Sequence, residues 1–151
     1  MTLALDTARL IERDEKEGSE LVEKTRKRIL VVDDEAHVLF ALSRLFNVLE
    51  VDVETCANPV DAVGRIDSSP YDLVISDQKM PQMNGLDVLR HVRASSPRTP
   101  TILMTAYGDS RTFNHAYESC GVFRYLTKPW DNTDLIITVK EALRAADALL
   151  R

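Results

Sequence analysis

A chain of 151 residues, 44% hydrophobic and 28% charged, has the size and composition of one domain with room for an appendage. A net charge of −5 argues against a nucleic-acid surface or a polybasic membrane patch, and no apolar run approaches the ~18 residues of a membrane-spanning helix. Cys56 and Cys120 have no metal-ligand spacing, and two thiols without a signal-peptide pattern point to a reducing, cytoplasmic setting.

Residues 1–25 differ from the rest. Leu3, Leu5, Leu10 and Ile11 could start a helix, but Glu12 to Glu20 is mostly charged and interrupted by Gly18 and Ser19. The pattern predicts a flexible or partly helical N-terminal arm, with the domain proper over 26–151. A solvated leader is favoured over a docking or dimerising segment. Arg26-Lys27-Arg28, three cations before a buried strand, are read as a solvated approach to that strand. Ile29-Leu30-Val31-Val32 is predicted as a buried strand ending on Asp33-Asp34. Val38, Leu39, Leu42, Leu45, Phe46 and Leu49 then recur at helical spacing, and Val51, Val53 and Thr55 alternate as a second strand. Asn58-Pro59 reads as a cap followed by proline at the first helical position, opening a helix through Ile66.

Asp72 to Ser76 is predicted as the third strand, running into Asp77 and a turn marked by Pro81 and Gly85. A third helix follows over Gly85 to Val92, then a strand at Thr101-Ile102-Leu103-Met104 that ends on Thr105. The polar stretch from Asp109 to Cys120 makes a fourth helix stopped by Gly121. Val122 to Leu126 is the fifth strand, leading into Thr127-Lys128-Pro129-Trp130. The last helix covers Asp131 to Arg151, with Asn132 or Asp131 as its cap. Five strands alternating with helices imply an α/β fold: a doubly wound parallel sheet in a three-layer α/β/α sandwich.

In such a sheet, ligands sit beyond the carboxyl ends of the strands. Those ends carry Asp33, Asp34, Asp77, Thr105 and Lys128. Clustered carboxylates raise one another's pKa unless a cation sits among them, and oxygen ligands without His or Cys suit Mg²⁺. Lys128 supplies an ammonium and Thr105 a hydroxyl, the groups a phosphoryl needs to offset its oxygens. Asp77 is then a carboxylate nucleophile of the aspartyl-phosphate kind.

With Met80-Pro81 and Gly85 after Asp77, and Lys128-Pro129 after the fifth strand, this set resembles the receiver domain of two-component response regulators. The resemblance covers about residues 28 to 148. It implies a flavodoxin-like (CheY-like) sheet of order 2-1-3-4-5, and a phosphoryl group accepted on Asp77 from a phosphohistidine of a sensor histidine kinase or phosphotransfer protein. It further implies Mg²⁺ bound by Asp34, Asp77 and the backbone carbonyl of Lys79, with Asp33 acting near the metal through water. Thr105 and Lys128 would contact the phosphoryl oxygens, and Tyr125 would change rotamer when Thr105 moves. The Lys128–Pro129 bond is expected to be cis. Lys79 and Tyr107 occupy positions that tune phosphate lifetime, and their bulk suggests slow dephosphorylation.

The implied output is a population shift on the face made by the fourth helix, fifth strand and last helix, rather than a new reaction. Ile136, Val139, Leu143, Ala146 and Leu150 keep a three–four spacing to the end, which suggests dimerisation through this helix or a continuation beyond it. Trp130 marks either a partner surface or packing against the last helix. His37, His91 and His115 take no catalytic role. The Lys128-Pro129-Trp130 variant resembles receivers of some transcription activators and of cyclic-dinucleotide phosphodiesterases. Two other classes compete. A haloacid-dehalogenase-like phosphatase wants a second Asp where this chain has Lys79, and non-phosphorylated binding modules typically lose acids that this chain keeps.

Overall fold

The computed structural model describes residues 26–106, 114, 118 and 120–150. Five parallel strands, β1 (Arg28–Val32), β2 (Asp52–Cys56), β3 (Leu73–Asp77), β4 (Thr101–Thr105) and β5 (Arg124–Thr127), form one sheet of order β2-β1-β3-β4-β5. Among the described residues four α-helices accompany it: α1 (Ala36–Leu45), α2 (Pro59–Ser68), α3 (Gly85–Ser95) and α4 (Asn132–Leu150). The sheet is doubly wound, with the flavodoxin-like strand order. The arm over 1–25, the helix expected over 109–120 (with Phe113, His115 and Tyr117) and Tyr107 lie wholly or largely outside the described residues. Among the described residues no helix is long and apolar enough to cross a membrane.

The central strands read as unbroken apolar runs because both of their faces are covered. Alternation sends Leu30, Val32, Val74 and Leu103 into one core with Ala62 and Ile66 of α2 and Leu89 and Val92 of α3. Ile29, Val31, Ile75, Ile102 and Met104 point the other way, against Leu39 and Leu42 of α1 and Leu135 and Val139 of α4. Two cores on opposite sides of one sheet are the three layers.

Local chemistry sets the helix ends. Asn58 accepts from the Val60 and Asp61 amides with Pro59 at the first turn, and Asp131 accepts from the Asp134 amide at 2.9 Å. The first helix is shorter than its apolar spacing suggests. It stops at Leu45 and tightens into a 3₁₀ turn over Phe46–Leu49, closed by Glu50 in the left-handed region at φ 53°. β5 pairs from Arg124 rather than Val122; its exposed ends belong to an edge strand, where apolar alternation gives little guidance.

The basic tripeptide leading into β1 is partly solvated, with Arg26 exposed, and each of its cations is also in an ion pair. Arg26 pairs with Asp52 at 2.9 Å, Lys27 with Asp147, and Arg28 with Glu54 at 2.6 Å. Arg28 also donates to Ser69 and to the Pro70 carbonyl, and its guanidinium lies 4.5 Å from the centre of the Tyr71 ring. The Tyr71 hydroxyl completes the set by donating to Glu54 at 2.8 Å. Burial, then the Glu54 carboxylate, push this phenol up to about 12. These cations pin the amino ends of the strands, at the opposite edge from the acidic residues.

Candidate functional site

Backbone bonds continue past the ends of β1, β3 and β5 and fix the residue that follows each. The Asp33 amide donates to Cys56 at 3.1 Å, that of Gln78 to Met104 at 2.8 Å, and that of Lys128 to Thr105 at 2.7 Å. One rim therefore holds Asp33, Asp77, Thr105 and Lys128. Asp33 is 1% exposed and Asp77 7%. The Lys128 ammonium lies between them, 2.8 Å from Asp33 Oδ2 and 3.2 Å from Asp77 Oδ1. The other oxygen of Asp33 accepts from the Glu35 amide at 2.9 Å, so this carboxylate turns the chain into α1 and holds Lys128 at once.

One cation does not balance the carboxylates. Burial first, then the charge of Asp33, hold the Asp77 carboxyl above its ordinary range, against the lowering pull of Lys128 and the Gln78 amide. Burial pulls the Lys128 ammonium down, but its bond to Asp33 and the charges of Asp33 and Asp77 outweigh that and leave it raised. Carboxylate oxygens of Asp33, Asp34, Glu35 and Asp77 all lie within 4.8 Å of one another. An all-oxygen set of this kind, with two exposed members and two buried, fits a hard divalent ion that keeps open positions. Asp33, Asp34 and Asp77 were expected here from sequence; Glu35 was not. Its signal was present as the third acid of Asp33-Asp34-Glu35, but the paired aspartates alone carried the reading.

The rim opens into a cleft of about 880 Å³ lined by Glu35, Asp77, Gln78, Lys79, Met80, Pro81, Asn84, Thr105, Ala106 and Lys128. Lys79 is exposed at its mouth. Thr105 and Tyr125 are half-buried and share a face of the sheet: Tyr125 pairs with Leu103, two residues before Thr105, and packs against the α2–α3 core. The Lys128–Pro129 bond is cis. Trp130 packs against the α1–α4 core and its indole N–H donates to Asn132 at 2.9 Å, which favours the packing reading of this residue. His37 lies 3.4 Å from Glu35 and lines a hollow with Lys128, Pro129 and Trp130, and His91 bridges to Asp67 at 2.7 Å.

The loop from Asp77 into α3 is tightly built. The Gly85 amide donates to the Gln78 carbonyl at 2.9 Å, and a Cβ at Gly85 would lie 2.2 Å from the Asp77 carbonyl oxygen. Glycine is needed there because of that close approach. Asn84 caps α3 by accepting from the Asp87 amide at 2.9 Å. The sequence marked Gly85 as a turn residue, a motif member and the start of the third helix, but did not point to Asn84 or Gln78.

Residues 29–140 match the family of response regulator receiver domains. The chain is 38% identical over 117 residues to the regulatory protein AtoC of Escherichia coli (strain K12), covering 78% of this chain and 25% of AtoC. The signal receiver domain of an HD domain-containing protein from Pseudomonas fluorescens Pf-5 superposes with a TM-score of 0.78 at 31% identity, over 82% of this chain and 98% of that one. A CheY-like response regulator receiver domain protein from Methanospirillum hungatei JF-1 gives 0.77 at 25% identity, over 82% and 98%. The chain spans about a quarter of the length of the curated relatives it matches. With this sheet order and this acidic pocket, the chain belongs to the response regulator receiver domain family, the phosphoacceptor modules of two-component signalling.

Proposed function

We propose that this receiver takes a phosphoryl group onto Asp77 from the phosphohistidine of a sensor histidine kinase or phosphotransfer protein. The observation that carries the reading is the Lys128 ammonium bridging two buried carboxylates inside a four-carboxylate cluster. Asp33, Asp34, Asp77 and the Lys79 backbone carbonyl would hold Mg²⁺, with Glu35 beside them. When bound, the ion offsets the carboxylate charge and polarises the phosphoryl oxygens. Asp77 contributes the oxygen that bonds to phosphorus as the P–N bond to the donor imidazole breaks. Lys128 stays beside the transferred group, which adds a charge of roughly −2. The Thr105 hydroxyl donates to the new oxygens and Tyr125 turns into the space it leaves. The shared face of Thr105 and Tyr125 supports that coupling.

The consequence is regulatory: a shift in the face of β5, α4 and the helix expected from sequence over 109–120, through which a partner, an output domain or a second copy is controlled. The only chemistry is phosphorylation of Asp77 and its reversal. Lys79 and Tyr107 slow the loss of phosphate. Residues 26–151 act as the receiver with its extended last helix, residues 1–25 as an arm, and the setting is the cytoplasm, with no direct nucleic-acid or membrane contact. The chain's short span of its relatives favours a second reading for the output, as the receiver of a larger transcription activator or cyclic-dinucleotide phosphodiesterase. Incubation with acetyl phosphate and Mg²⁺, followed by intact mass, tests the proposal. One added phosphoryl group that is lost in Asp77→Asn is expected; an unmodified protein, or a modified Asp77→Asn, rejects it.

A further inference from the structure

Gln78 sits between the two groups that the proposed magnesium site takes from one strand end, the Asp77 carboxylate and the Lys79 carbonyl. It is held from three directions. Its amide donates to Met104 of β4 at 2.8 Å, its carbonyl accepts from Gly85 at 2.9 Å, and its side-chain Oε1 accepts from the Leu86 amide at 3.0 Å. A helix begins with four amides that its own turns cannot satisfy. In α3 those of Gly85 and Leu86 go to Gln78 and that of Asp87 to the Asn84 side chain, while Val88 makes the first intrahelical bond, to the Asn84 carbonyl. Half of the cap of α3 is therefore one residue of the acceptor strand. The contact is possible because residue 78 continues the face of Val74, the side of the sheet that α3 covers.

The main chain of Gln78 is bonded to β4 on one side and to α3 on the other, and the side-chain bond is a second tie to α3. Without the Oε1 contact, the peptide that leads to Lys79 is held to α3 only by the one bond from the Gly85 amide to its carbonyl. We propose that Gln78 is a positioning residue: its side-chain bond to the Leu86 amide fixes the spacing between the Asp77 carboxylate and the Lys79 carbonyl, and so sets magnesium affinity. This rests on the receiver reading above.

Gln78→Met keeps the length and removes the acceptor; Gln78→Asn keeps an amide too short to reach Leu86. Calorimetric magnesium titration, amide exchange at Leu86, and the acetyl-phosphate rate as a function of Mg²⁺ read the effect. Both variants should bind Mg²⁺ roughly tenfold more weakly, the lower range for residues that orient metal ligands. Leu86 should lose protection, and the phosphorylation rate should return to that of the native chain at saturating Mg²⁺. The Asn variant carries the test if the Met variant does not fold. Affinity within twofold of native overturns the proposal, as does a rate deficit that persists at saturating Mg²⁺, since that marks general damage to the fold. A native chain that neither binds Mg²⁺ nor accepts phosphate on Asp77 overturns the receiver reading instead, and the inference with it.

Discussion

Gly85→Ala places the smallest possible side chain against the end of β3. The added Cβ would lie 2.2 Å from the Asp77 carbonyl oxygen, 2.9 Å from its carbon and 3.0 Å from the Gln78 Cα. Reaching an ordinary 3.4 Å contact with that oxygen requires a shift of about 1.2 Å. The clashing atoms are backbone, and the chain there is bonded to Met104 and to Gly85 itself, so no flexible side chain absorbs the strain. Overpacking of this kind costs roughly 1–3 kcal/mol. Alanine's helix propensity returns up to about 1 kcal/mol, less at a first helical position, so the clash wins. Urea melts should show a loss of about 2 kcal/mol. Moving an acceptor by ~1 Å should slow phosphorylation from acetyl phosphate by on the order of 100-fold. Gly64→Ala is the control: nothing lies within 4 Å of its Cβ in the middle of α2, so it should gain about 1 kcal/mol and keep the native rate. A Gly85→Ala protein of native stability and rate would refute the reasoning.

Lys128→Met leaves Asp33 and Asp77 buried without their shared cation, and metal-free thermal melts at neutral pH should show a loss of about 3 kcal/mol. Because the Lys128 ammonium is raised, its contribution is complete below the ordinary lysine value of 10.5 and fades as pH rises through its folded value; a difference from native that stays constant into strong alkali would contradict the ion pair. For Asp77 the sign is opposite to that of a salt-bridged acid. Its raised pKa means that the ionised form costs stability at neutral pH, and the cost disappears as pH falls through that range. In EDTA, Asp77→Asn should therefore melt above the native chain at neutral pH and converge with it in acid, whereas a lower melting temperature would show that Lys128 overcompensates. Tyr71 should give a late step, at about 12, in an ultraviolet titration. Tyr71→Phe should delete that step and cost about 1 kcal/mol, and a late step surviving the substitution would place it on another tyrosine.

What could be read from the sequence follows burial. Ile29–Val32, Leu73–Ile75 and Ile102–Met104 are covered on both faces, so they appear as apolar runs with sharp ends, and those ends are where the acids and Lys128 stand. β5 lies at an edge with Arg124 and Thr127 exposed, and its start was displaced by two residues. Contacts between distant segments were the least legible. Arg26, Lys27 and Arg28 find their partners on β2 and α4, up to 120 residues away, and in isolation look like free cations. The Gln78–Leu86 bond depends on the path of a loop, which no periodicity encodes.

On the proposed function Asp77, and no other member of the acidic cluster, forms the bond to phosphorus with a divalent ion present. Borohydride reduction of the acetyl-phosphate-treated protein converts an acyl phosphate to an alcohol, and peptide mapping then locates it. The expected product is homoserine at position 77 alone, formed with Mg²⁺ and abolished by EDTA. Reduction at Asp33, Asp34 or Glu35, or labelling of Asp77 at an equal rate in EDTA, would contradict it.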